Sequence, residues 1–152
     1  MATPLIIKNS ISIKAPRAKV WDALVNPEQT KKYMFGCVPV SDWKPGSTLF
    51  WNGEEENGKL MTFVKGKVVD IRPNEYLAYT VIDPNNTAVP DIPENYLTVT
   101  YTLEDKNDMT EFTVTQGDYS IVADGEARYA DSNKVGGWTT LLEAIKLLVE
   151  ND

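Results

Sequence analysis

The chain has 152 residues, about one average domain, and a domain of that size buries roughly 70% of its unfolded surface without help from a disulfide or a metal. Its 15 basic and 22 acidic side chains leave a net charge of −7, which disfavours nucleic acid and anionic membrane as partners because both need a basic footprint. One cysteine and no histidine exclude a disulfide framework and a multi-cysteine zinc site, and they remove the commonest general base and transition-metal ligand.

The first element alternates. Leu5, Ile7, Ile11 and Ile13 point one way and Lys8, Ser10, Ser12 and Lys14 the other, which predicts a strand with one buried face. Leu5-Ile6-Ile7 is far too short for a signal or a membrane span, so a cytoplasmic protein is expected. Pro16 suits the start of a helix whose apolar face is Val20, Trp21, Leu24 and Val25. Asn26-Pro27-Glu28-Gln29 then offers a cap, a proline at the first helical position and a capping-box glutamine, predicting a short second helix to about Tyr33.

From Cys37 to Gln116 the signal is β. Strands are predicted over 47–51, 60–71 and 76–82, with Gly46 in a turn, Asn57-Gly58 in a hairpin, and Arg72-Pro73-Asn74 in a turn. Residues 83–95 carry Pro84, Pro90 and Pro93 and form a long loop. Leu97, Val99, Tyr101 and Leu103 alternate with threonines, as do Phe112 and Val114, which predicts a hairpin with one buried face. Residues 125–150 are expected to be mostly helical, with Trp138, Leu141, Leu142, Ile145, Leu148 and Val149 as the apolar stripe. Gly136-Gly137 inside it implies a bend or a close backbone approach. The expected fold is α+β: a curved antiparallel sheet of about seven strands around a long C-terminal helix, with two short helices after the first strand.

Several stretches carry a family resemblance. They are Ile13-Lys14-Ala15-Pro16 with Val20-Trp21-Asp22-Ala23-Leu24, Asn26-Pro27, Tyr33-Met34-Phe35-Gly36, and Ser41-Asp42-Trp43 with Gly46-Ser47 and Trp51. Gly66-Lys67-Val68 to Pro73, Leu77-Ala78-Tyr79-Thr80, and Gly137-Trp138 with Leu141 and Leu142 complete the set. In this order they resemble the helix-grip proteins of the START-like (SRPBCC) superfamily. Within it the chain is similar to bacterial single-domain homologues of the activator of the 90-kDa heat-shock chaperone's ATPase (the Aha type). The resemblance implies one such domain over residues 1–152, with a cavity between helix and sheet suited to an apolar or amphipathic ligand. It carries over no catalytic set and no cofactor.

A noncatalytic binder of a small apolar or amphipathic ligand is therefore the leading expectation. A protein-binding module acting on a chaperone is the second, which the charge split favours: residues 1–76 sum to +3 (11 − 8) and residues 77–152 to −10 (4 − 14). A cyclase-like enzyme is the third and would need an acid–base pair in the cavity. The eukaryotic cochaperone carries a further amino-terminal chaperone-binding domain for which this chain is expected to lack the length.

The candidate ligand-binding residues are Tyr33, Phe35, Trp51, Tyr79, Val99, Tyr101, Gln116, Trp138 and Leu142. Tyr33, Phe35, Trp43, Phe50 and Trp51 either close the core or wall a pocket, and neighbouring Phe50 and Trp51 cannot both face inward from a regular strand. Tyr79, Tyr101 and Gln116 share an inward face, where hydroxyl partners come either from a ligand or from one another and water. Tyr33–Phe35 and the loop 83–95 are expected to cover the opening. Glu54-Glu55-Glu56 reads as a solvated hairpin tip rather than a metal cluster, and Cys37 as a thiol with no histidine to activate it. Asp70 and Asp118 are solitary carboxylates, and neither is singled out as a base.

Overall fold

The computed structural model describes residues 4–34, 36–54 and 57–151. β1 (Ile7–Ile13) leads into α1 (Arg17–Val25) and α2 (Pro27–Thr30). The strands β2 (Val38–Ser41), β3 (Thr48–Glu54), β4 (Leu60–Arg72), β5 (Tyr76–Val81), β6 (Leu97–Lys106) and β7 (Met109–Gly117) follow. The chain then runs through α3 (Gly125–Lys134) and α4 (Thr139–Glu150).

All seven strands join one antiparallel sheet in the order β1-β7-β6-β5-β4-β3-β2. β1 closes against β7, Ile7 opposite Gln116 and Ile13 opposite Thr110, so the first and last strands share an inner face. The β6–β7 hairpin pairs Lys106 with Met109 around Asn107-Asp108, both at positive φ, as a two-residue turn matched to the strand twist requires. Register shifts at Trp51/Asn52 and at Val68/Asp70 mark bulges, which bend a sheet and sharpen its twist. The bend makes one face concave enough to hold helices.

α1 begins after an extended Pro16. Asn26 serves both neighbouring helices: its N–H donates to Asp22 O at the end of α1, and its Oδ1 accepts Glu28 N–H at the start of α2. The predicted capping box is therefore half made. Gln29 has no free N–H to reach at Asn26, and its Oε1 accepts from Lys32 Nζ instead.

The single long C-terminal helix expected from the apolar stripe is divided into two. Gly136 and Gly137 have φ of +84° and +61°, a left-handed conformation no helix propagates. The backbone also approaches β1 closely, since a Cβ on Gly137 would lie 2.6 Å from Asn9 Oδ1 and 2.8 Å from Ile7 Cγ2. Both readings of the glycine pair hold together: the bend exists because the chain must pass over β1. α4 packs on β1 and α1. It buries Leu142, Ile145 and Val149 among Ile13, Val20, Leu24 and Phe112. Each such side chain stabilises by about 1.5–3 kcal/mol, so these three suffice to anchor α4 to the sheet. Among the described residues no helix is long and apolar enough to cross a membrane.

Candidate functional site

Ahead of the Leu142–Val149 anchor of α4, the sheet and the α3–α4 junction part. They leave an inner cavity of about 290 Å³. The sheet contributes Trp51, Val64, Tyr79, Val81, Leu97, Val99 and Gln116, and the roof is Trp138, with Met34, Ile82, Asp83 and Arg128 closing the sides. These strand residues occupy the inward phase that alternation assigns to one face. Small-ligand sites are commonly apolar concavities of this scale with a few placed polar groups.

Trp138 is fixed from three sides. Its indole N–H donates to Gln116 Oε1 at 2.8 Å, its backbone N–H donates to Asn9 Oδ1 at 2.9 Å, and Tyr101 meets its ring edge-on at 5.9 Å. Beneath the cavity the Tyr79 and Tyr101 hydroxyls share a buried hydrogen bond of 2.6 Å. Tyr33 donates its hydroxyl to Ala23 O at 2.6 Å. Burial pushes the phenol of each of these three tyrosines above its ordinary value. Among these groups, the Tyr79–Tyr101 hydrogen bond opposes the rise only at Tyr79. The phenols are therefore neutral polar tips at neutral pH.

Trp51, Tyr79, Val99, Gln116 and Trp138 from the sequence-derived set come together on the cavity lining. Tyr101 lies behind Tyr79, with its hydroxyl engaged there and its ring also against Phe112. Leu142 is core on α4, and Tyr33 packs against the same core. Phe35 lies outside the described residues. Phe50 and Trp51 do part to opposite faces: Trp51 is buried within, and Phe50 lines an outer groove.

Sequence reasoning missed Met34, Val64, Val81, Ile82, Asp83, Leu97 and Arg128 on the lining. Val81 and Leu97 carried a signal, being in phase with Tyr79 and Val99, whereas no face of the strand holding Val64 is assigned inward by its sequence. Arg128 carried none, because its place depends on where α3 lands. It donates to Ala123 O at 3.0 Å and stands over the Tyr119 ring. Asp83 Oδ1 accepts Asn85 N–H at 2.8 Å and so caps its own turn. Arg128 and Asp83 give an otherwise apolar chamber two charged groups of opposite sign.

The loop 83–95 does not close over the cavity as expected. Only Asp83 of this segment lines it. Asn95, buried, donates to Pro90 O and accepts Ala123 N–H, both at 2.9 Å, while Asp91 pairs with Lys65 on the outer face. Proline supplies carbonyls without N–H groups, and Asn95 is the side chain that satisfies one of them. The far half of the loop is thereby fastened toward the outside of the sheet.

The remaining candidates have local roles. Asp118 accepts from Ser120 Oγ, Ser120 N–H and Leu5 N–H, and these bonds hold its carboxyl below the usual range. Asp70 is exposed and bonds the next residue's N–H. Burial raises the Cys37 thiol, the direction that makes it less reactive. Glu54 is exposed, whereas Glu55 and Glu56 lie outside the described residues.

Residues 14–150 match the family described as activator of Hsp90 ATPase homolog 1-like protein. The solution structure of ChR145 from Cytophaga hutchinsonii is 40% identical and superposes with a TM-score of 0.75, over 99% of this chain and 97% of that one. Protein CV1439 from Chromobacterium violaceum, 21% identical, covers 99% and 100% of the two chains with a TM-score of 0.72. A protein from Arthrobacter aurescens, 13% identical, reaches a TM-score of 0.76 over 98% and 88%. The last two speak to the fold alone, which is the helix-grip arrangement. No curated protein matches the chain significantly.

Proposed function

The chain belongs to the activator of Hsp90 ATPase homolog 1-like family, and on that footing we propose that it is a noncatalytic binder of a small apolar or amphipathic ligand, held in the inner cavity. The observation that supports this reading is the lining itself: an apolar chamber of about 290 Å³ whose polar groups are mostly already partnered. Tyr79 is bonded to Tyr101, and Gln116 to Trp138. A guest therefore meets apolar walls and gains chiefly by leaving water, at about 25 cal/mol per Å² of apolar surface. Arg128 and Asp83 are the two groups that can orient a polar end.

Native mass spectrometry of protein purified from its own host tests the reading. The expected result is a small-molecule adduct on the wild-type chain, absent from a Val99→Trp variant that remains folded. Bare chain in both, co-purifying with a chaperone in a salt-sensitive complex, would overturn ligand binding in favour of the protein-binding alternative.

A further inference from the structure

The outer face of the sheet carries a second concavity, of about 430 Å³, larger than the inner cavity. Its floor comes from β3 and β4, where Thr48 pairs with Lys67 and Phe50 with Lys65. These positions lie out of phase with the buried Leu49, Trp51 and Val68. Its wall is Asp91 and Pro93 from the loop 83–95, with Tyr96 just after it. The two chambers are therefore on opposite faces of one sheet.

Several contacts build this groove from the fold. Asp91 accepts the Tyr96 hydroxyl at 2.6 Å and pairs with Lys65, which fastens the loop to the sheet. Asn95 pins the same segment from behind through Pro90 and Ala123. Gly66 lets β5 come close, because a Cβ there would stand 1.7 Å from Thr80 O. The result is a wall held by polar contacts on both sides.

The charge in the groove is unbalanced. Lys65 is matched by Asp91, whereas Lys67 has no carboxylate partner among the described residues. An ammonium beside Phe50, Pro93 and Tyr96, left over after Lys65 and Asp91 pair, favours an anion with a flat apolar body locally, against the net charge of −7 of the chain as a whole. We propose that this groove is a second binding site, for a small aromatic carboxylate, with the ring against Phe50 and Tyr96 and the carboxylate on Lys67. A charge-assisted hydrogen bond from Lys67 supplies orientation, and the aromatic side chains supply contact area.

The test is amide chemical-shift mapping with 2-naphthoate as the probe, on the wild type and on Lys67→Gln and Val99→Trp variants. Saturable shifts are expected at Phe50, Lys65, Lys67, Thr80 and Tyr96. Affinity should weaken roughly five- to tenfold in Lys67→Gln, and likewise for neutral 2-naphthamide on the wild type. It should be unchanged in Val99→Trp, which obstructs only the inner cavity. Shifts centred on Val99, Gln116 and Trp138 and lost in Val99→Trp would overturn the proposal while supporting the inner site. No saturation up to the probe's solubility limit, or equal affinity in Lys67→Gln, would overturn it without touching the inner site.

Discussion

Tyr79 and Tyr101 are diagonal neighbours across the β5–β6 ladder, because Tyr79 faces Val99 and Tyr101 faces Leu77. Diagonal positions lie within reach of long aromatic side chains, and here the two hydroxyls meet. Alternation alone placed both on the inward face, but which hydroxyl meets which depends on strand register. That register is set across the loop 83–95, whose length no turn rule constrains. Tyr101→Phe leaves the Tyr79 hydroxyl buried without its partner and should cost about 1–3 kcal/mol at neutral pH, read from urea unfolding. The same tyrosines make stability fall at high pH. Burial raises their folded-state ionisation above the ordinary value of 10.0, so below that value both states are neutral and the contribution is whole. As the pH climbs further, the unfolded chain ionises first and stability is lost toward the folded-state values. Absorbance at the phenolate band should show Tyr33, Tyr79 and Tyr101 titrating only as the protein unfolds. Ionisation of all seven tyrosines within a still-folded protein would contradict this.

At the scale of elements, the division between α3 and α4 does more to shape the cavity than any one lining residue. The sequence announced a departure at Gly136-Gly137 but not its partner. Asn9 sits in the inward phase of β1, where a polar residue looks out of place between Ile7 and Ile11. Its Oδ1 accepts Trp138 N–H, its Nδ2 donates to Thr139 Oγ1, and its position forbids a side chain on Gly137. A polar interruption in an apolar strand face, passed over by the alternation, is thus one half of a contact whose other half lies 129 residues away. The two glycines should respond differently to alanine. At Gly136 the nearest atoms to a new Cβ are 3.6 Å away, leaving mainly the left-handed backbone strain of about 1–2 kcal/mol. Gly137→Ala adds the collision with Asn9 and Ile7, so its loss should exceed that of Gly136→Ala and be accompanied by a shift in Trp138 fluorescence. Equal losses in urea unfolding, with unchanged fluorescence, would mean that the close approach to β1 does not hold Trp138.

For the whole molecule, the succession of most strands and helices and the buried face were legible because period-2 and helical patterns are strong over long segments, whereas β2, the order of strands in the sheet and the separation of α3 from α4 were not. The chamber between sheet and helices was also less legible. Five of the sequence-derived candidates line it, but its sides come from Met34, Ile82, Asp83 and Arg128, which converge only once loops and α3 are in place. Charge was no guide to the chambers, since the net −7 of the chain says nothing of a lysine-bearing groove on the outer face. Ligand binding requires that the inner chamber hold a guest, and chemical-shift mapping with the neutral probe 2-naphthol tests this most directly. The predicted result is saturable perturbation of Val64, Tyr79, Val99, Gln116 and the Trp138 indole N–H in the wild type. It should be abolished in a folded Val99→Trp variant, for which overpacking itself costs about 1–3 kcal/mol of stability. A Val99→Trp protein that folds and binds 2-naphthol with unchanged affinity would contradict the account.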